Sequence, residues 1–247
     1  MYKHYLIGLF FLINYSIKAN GQAAPQVSHS KSIYIETFCK KHKISTATGF
    51  FLLYKGVTYF ITNYHVVMDK EALSNKYKSP EKLVPDIIKT YLVNKNGQSF
   101  SLELLLKNDW RSYPILHNSH TDVAILKIDV SSIIDIKSYQ NILSTRPLIN
   151  NENCYEIGYP KDYLKNRDFF VGKRTEAKVI LLTNLRPKVA DCEELTAKLM
   201  DGSSGSPVYD NENKIIGIHF SALYNYGSLF ITKKAIIDCI EKGTKIY

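Results

Sequence analysis

The stretch Gly202-Ser203-Ser204-Gly205-Ser206-Pro207 decides how this chain is read. A serine with small neighbours, glycine on both sides and proline three positions on, gives a tight turn with an exposed hydroxyl. Glycine takes backbone conformations that a side chain forbids and lets another chain approach closely. That geometry suits acyl transfer, in which a hydroxyl attacks a carbonyl carbon and nearby backbone N–H groups face the developing oxyanion. Two upstream stretches complete the pattern. Thr62-Asn63-Tyr64-His65-Val66-Val67 offers a base at the end of an apolar run, and Thr121-Asp122-Val123-Ala124-Ile125-Leu126 offers an acid at the head of another. Taken singly, each has an ordinary reading: a structural histidine, a turn-capping aspartate, a Gly/Ser loop. His117 and His120 are rivals for the base but lack the strand-to-turn setting of His65, and Ser203 is the rival nucleophile.

Order along the chain separates the possible folds. Subtilisins run Asp, His, Ser and α/β-hydrolases run Ser, acid, His, whereas His, Asp, Ser is the chymotrypsin order. The segments Thr48-Gly49-Phe50-Phe51, Tyr59 to Val67, Thr121 to Ala124, Ile157-Gly158-Tyr159-Pro160 and Gly202 to Gly217 resemble a bacterial trypsin-like serine protease. The nearest groups are the glutamyl-endopeptidase-like and the PDZ-less high-temperature-requirement-type proteases. The resemblance implies an all-β fold of two perpendicular Greek-key β-barrels with a cleft between them, followed by a C-terminal α-helix. It implies His65, Asp122 and Ser204 as catalytic triad, the backbone N–H groups of Gly202 and Ser204 as oxyanion hole, and an acyl-enzyme route needing no cofactor or metal. The Gly-x-Ser-Gly-x-Pro pattern selects Ser204 over Ser203.

Specificity is less determined. Lys214-Ile215-Ile216-Gly217-Ile218-His219-Phe220 resembles the strand of glutamyl endopeptidases in which the histidine matching His219 helps bind the substrate carboxylate, so the resemblance implies acidic substrate residues. A structural role for His219 stands equally open. Those enzymes carry a threonine five residues before the nucleophile, where this chain has Leu199. Lys198 replaces the aspartate that gives trypsin its basic preference, which argues against cleavage after Lys or Arg. Ser203 stands where chymotrypsin-like zymogens have the acid that pairs with a freed N-terminus, so that activation switch is absent, although Asp201 lies nearby. Two readings from other classes remain: a catalytically silent peptide-binding or scaffold relative, and a hydrolase of small esters.

Composition agrees with an exported enzyme acting on protein or peptide substrates. The 247 residues are 45% hydrophobic and 22% charged, an ordinary globular balance. Residues 1–21 read as a signal peptide, with Lys3 and His4, an apolar core from Tyr5 to Ile17 and the exit Ala19-Asn20-Gly21. This predicts a secreted or periplasmic protein with no stable membrane span after processing; an uncleaved anchor is the alternative. The formal charge of +9 falls to +7 once Lys3 and Lys18 leave, and the basic residues are interleaved with acids, which argues against nucleic-acid binding. Cys39, Cys154, Cys192 and Cys239 allow three complete disulfide pairings, with Cys154 also readable as a buried free thiol. Their spacing matches no zinc motif.

The predicted organisation is residues 22–44 as an N-terminal extension containing a short helix at 31–42, 45–130 as the first barrel, and 131–247 as the second barrel with its helix. Strands are expected at 45–54, 57–62, 88–94, 98–106, 122–128, 153–158, 167–183, 206–210, 214–221 and 228–231. Lys55-Gly56 and Asn96-Gly97 read as hairpin turns. Residues 69–86 read as an inserted loop and 130–152 as a polar connector. Ile236, Ile237 and Ile240 repeat at helical spacing behind a capping Thr232. No PDZ-like domain fits after Lys242. Oligomeric state is not readable.

Overall fold

The computed structural model describes residues 31–39, 41–68, 85–94, 98–105, 111–113, 122–128, 136–161, 171–182, 191–197, 202–223 and 227–242. The predicted signal peptide, most of the 69–86 insertion, the Asn96-Gly97 turn, His117, His120, Lys198, Leu199 and Asp201 lie outside the described residues.

The first half builds one sheet around β1 (Ser32–Cys39), which lies between β2 (His42–Tyr54) and β4 (Ile87–Val93), antiparallel to both. β2 turns into β3 (Val57–Thr62) through Lys55 at φ 47° and Gly56 at φ 76°, the two positive φ values of a type I′ hairpin. β3 pairs with β7 (Val123–Ile128), β7 with β6 (Arg111–Tyr113), and β4 with β5 (Ser99–Leu105). The short β8 (Gln140–Asn141) adds to β2 in parallel and makes the sheet eight-stranded. Among the described residues no pairing joins the outer strands β5 and β6. The second half closes fully, as a barrel in the order β10-β11-β14-β13-β12-β9, formed by β9 (Asn153–Gly158), β10 (Lys173–Ile180), β11 (Cys192–Leu195), β12 (Pro207–Tyr209), β13 (Ile215–Leu223) and β14 (Gly227–Thr232). Helix α1 (Tyr64–Met68) follows β3, and helix α2 (Lys233–Lys242) follows β14.

The expected helix at 31–42 is instead β1. Six of its first residues in a row are buried, on both faces, and both edges are hydrogen-bonded. A helix would have needed one polar face. β-branched Ile33, Ile35 and Thr37 suit a pleated strand covered on both sides. Ile35→Ala, at a fully buried position in the middle of the sheet, is expected to destabilise the protein by about 2–5 kcal/mol, read as a lower urea midpoint with an unchanged slope.

Three large cores follow from this layout among the described residues, beside a small contact of Cys39 with Ile44. One fills the first sheet around Ile35, Phe51, Phe60 and Leu126. One fills the barrel around Val179, Val208 and Phe230. The third joins the halves: Phe50, Ile61 and Ile125 from the sheet meet Tyr155, Ile218 and Ile231 from the barrel, with Ala235, Ile236, Cys239 and Ile240 of α2 in the same cluster. Buried Asn141 ties this joint with its amide, which donates to the carbonyls of Lys31 and Phe51 while its oxygen accepts from the Tyr209 hydroxyl. All four cysteines are buried thiols, and burial pushes those of Cys154 and Cys192 up to about 12. Among the described residues no helix is long and apolar enough to cross a membrane.

Candidate active site

β3 runs apolar to Thr62 and then breaks at Asn63, fully buried, whose carbonyl accepts from the Val66 N–H to open α1. The N–H groups of a helix's first turn have no partner within the helix. Here Asp122, at the head of β7, takes one of them: its Oδ1 accepts from the His65 N–H at 2.8 Å. Its Oδ2 bonds His65 Nδ1, while the Asn63 amide donates to the Asp122 carbonyl at 2.8 Å. Backbone and ring of His65 are thus both held by one carboxylate. The Asp122 side chain is completely buried, whereas that of His65 is 37% exposed. The pairing of Thr62 with Ala124 is what brings the two strand ends together.

The Gly202–Pro207 stretch folds as the turn that its glycines predict. Ser206 N–H donates to the Ser203 carbonyl at 2.9 Å, with Ser204 and Gly205 as the central pair and Gly205 at φ 86°. A positive φ at that place is what a type II turn requires. Ser204 is half-buried and Ser203 buried, so the turn presents the second serine and hides the first. Gly202, at φ 97°, turns the chain just before.

Thr48 of β2 fastens this turn to the first sheet. Its N–H donates to the Ser204 carbonyl at 2.9 Å and its hydroxyl to the Gly202 carbonyl at 3.0 Å. The same hydroxyl accepts from the Tyr159 N–H, and the Thr48 carbonyl accepts from the Thr62 hydroxyl at 2.8 Å. The nucleophile-type turn is therefore docked on β2, at the residue that Thr62 of β3 bonds three positions before His65. A Cβ on Gly205 would lie 2.0 Å from the Thr48 oxygen and 2.5 Å from Thr62 Oγ1. With positive φ added, Gly205→Ala is expected to destabilise the protein by about 3 kcal/mol or more, measured by urea denaturation; wild-type stability would contradict this docking.

Behind the turn lies a buried polar group. His219 on β13 is 3% exposed, its Nδ1 3.1 Å from the Ser203 carbonyl and its Nε2 3.2 Å from the Ser221 carbonyl. Burial pushes its pKa down to about 4, against the pull of those two carbonyls, and nearby His65 lowers it further. Glu156 on β9 is 2% exposed, with Oε2 3.8 Å from His219 Nδ1. Burial pushes its carboxyl up to about 8, over the opposing effect of the Ser206 and Ser203 hydroxyls and Lys173.

Residues 47–218 match the family model of the trypsin-like peptidase domain. The chain belongs to the trypsin-like peptidase family. The peptidase is accordingly a trypsin-like serine endopeptidase, a hydrolase. Its fold is similar to that of Deg5 (TM-score 0.57, 21% identity, 88% of this chain and 92% of that one). It is also similar to a serine endoprotease from Yersinia pestis (0.58, 16%, 87% of this chain and 62% of that one). A third similar structure is the HtrA-type protease AlgW, solved with a tripeptide (0.55, 18%, 87% of this chain and 61% of that one). No curated protein matches the sequence.

Sequence reading singled out His65, Asp122, Gly202, Ser204 and His219 individually, but Thr48 only as part of a motif. It missed the fixing role of Thr48, and Glu156 altogether. Thr48 precedes the close-packed Gly49 in an apolar run, which was the available signal. Glu156 gave a weaker one, as a lone acid in the otherwise apolar Cys154-Tyr155-Glu156-Ile157.

Proposed function

We propose that the peptidase cleaves proteins or peptides with His65, Asp122 and Ser204 as triad. The observation that carries this is the two-point hold of Asp122 on His65, just after β3, whose Thr62 bonds the Thr48 that docks the Ser204 turn. His65 accepts the Ser204 proton on Nε2 as Oγ attacks the scissile carbonyl, then gives that proton to the leaving amine when the C–N bond breaks. Asp122 keeps the Nδ1 proton in place and stabilises the imidazolium. Water, its proton taken by the same imidazole, hydrolyses the acyl-enzyme and restores Ser204. The N–H groups of Gly202 and Ser204 receive the oxyanion; among the described residues neither is spent on a backbone hydrogen bond.

A preference for acidic residues draws no support from His219. The ring is buried and its two nitrogens face the Ser203 and Ser221 carbonyls, so neither is turned to a substrate carboxylate. This supports its structural reading. Export of the chain rests on residues 1–21 alone.

A fluorophosphonate probe followed by peptide mapping tests the triad. The expected adduct is on Ser204, and it is lost when His65 is replaced. An adduct on another residue, or none on folded protein, would identify a silent relative. Turnover of small esters without cleavage of any denatured protein would point to the esterase alternative.

A further inference from the structure

Glu156 has no part in the triad, yet it is buried directly beneath the turn that carries Ser204. A Cβ on Gly158 would lie 2.4 Å from Ser206 Oγ, 2.8 Å from Glu156 Oε1 and 3.1 Å from Ser203 Oγ, so the missing side chain of Gly158 leaves room for these three groups to meet. Ser206 spends its one hydroxyl proton on the Ser203 carbonyl, at 2.6 Å. Towards Glu156 its oxygen can then only accept, and the proton between them has to come from the carboxyl. The second carboxyl oxygen, Oε2, is buried with no hydrogen-bond partner among the described residues. A neutral acid tolerates such an orphan; a buried carboxylate does so only at a large cost.

We propose that Glu156, as a neutral carboxylic acid, is the positioning residue of the nucleophile turn, clamping Ser203 and Ser206 from below together with His219. The clamp acts from three sides. Glu156 reaches Ser206 from β9, and His219 contacts the Ser203 carbonyl from β13. The β13 backbone holds the rest: the His219 carbonyl accepts from the Gly205 N–H at 3.1 Å, and the His219 N–H donates to the Ser206 carbonyl at 2.9 Å. The turn itself supplies no charge at position 203. Ser204 Oγ keeps its aim only while residues 203 and 206 stay fixed, so this role rests on the reading of Ser204 as nucleophile.

Ionising Glu156 would put an uncompensated charge in this space. The other titratable groups that face it are Cys154 on its own strand, Lys173 on β10 and His219 on β13, with His65 beyond His219. Thr175 of β10 and Val208 of β12 flank it in register and carry no charge. Of these titratable groups Lys173 favours the carboxylate, more weakly than the Ser206 and Ser203 hydroxyls do, and burial outweighs all three. The sign for stability follows from proton counts. With folded values of about 8 for Glu156 and about 4 for His219, against ordinary values of 4.5 and 6.5, the folded pair keeps one proton between pH 6.5 and 8 that the unfolded chain has lost. Stability from this pair therefore falls as pH rises through that interval and is level above it.

The test compares wild type with Glu156→Gln, which cannot ionise. Two quantities are followed from pH 6 to 10: the rate of fluorophosphonate labelling, normalised to each protein's own maximum, and the hydrogen exchange of the 202–209 segment, corrected for intrinsic rate. In wild type, labelling is expected to fall about tenfold per pH unit above the Glu156 ionisation, as one lost proton dictates, while the segment exchanges about tenfold faster at pH 9.5 than at 6.5. In Glu156→Gln neither the alkaline fall in labelling nor the faster exchange is expected. An alkaline fall of equal size in the variant would overturn the proposal. So would unchanged exchange of the wild-type turn across pH 8, a result that does not depend on whether the variant folds. If wild type never takes label on Ser204 while its turn still loosens through Glu156, the nucleophile assignment fails and the clamp stands.

Discussion

Ser204→Ala is expected to lower kcat by about a million-fold, the loss typical when the nucleophile of such a triad is removed. The residue that replaces it fits: the turn is built from backbone bonds at Ser203, Gly205 and Ser206 and from the Thr48 N–H on the Ser204 carbonyl, none of which needs the hydroxyl. Stability and substrate binding should therefore stay near wild type, and the loss should fall on kcat rather than KM. Adding His65→Ala to Ser204→Ala should cost almost nothing more, because the base has no proton left to take. The residual rate should still exceed that of water by about a thousand-fold, from the Gly202 and Ser204 N–H groups and binding alone. Steady-state kinetics of the single and double variants check this, and a strictly additive double variant would separate His65 from Ser204.

Asp122→Asn should lower kcat by about ten-thousand-fold. Both oxygens of Asp122 are acceptors, one for the His65 N–H and one for the His65 ring. An amide can serve only one of them. If its NH2 faces the ring, Nδ1 must become an acceptor and the ring proton moves to Nε2, the atom that has to receive the Ser204 proton. If it is flipped, two donors oppose each other at the backbone of α1. Because the side chain at position 122 is completely buried, water does not reach it to relieve the mismatch. An unchanged kcat at pH 7 would remove Asp122 from the mechanism.

The fold was legible wherever local pattern and tertiary pairing agree. The 45–62 hairpin, the strand at 123–128, the strand at 153–158 and the helix ending at Lys242 all show their period or turn chemistry in the chain itself. β1 was not legible, because a strand covered on both faces loses the alternation by which strands are recognised. β8 and β11, of two and four residues, exist only through their neighbours. In the site, residue types and order marked His65, Asp122 and Ser204, while the supports came from residues with no chemical signature. Thr48 lies 154 residues from Gly202 and reveals itself only through the bond between them. His219 looked the same in sequence whether it lined a pocket or was buried behind the turn, since burial is a property of the barrel rather than of the motif.

The joint between the halves also bears on when this enzyme comes into being. Ala235, Ile236, Cys239 and Ile240 of α2 pack into the core shared by the sheet that carries His65 and Asp122 and the barrel that carries Ser204. A ribosome makes these residues after every strand they contact, and chains fold as their segments emerge. Until they arrive, the apolar seam between the halves lacks the side chains that complete it, and the Thr48 bonds to the Ser204 turn span it with less packing behind them. Chain growth itself thus sets an order of assembly, in which the core under both halves of the site is completed by residues made after every strand of it.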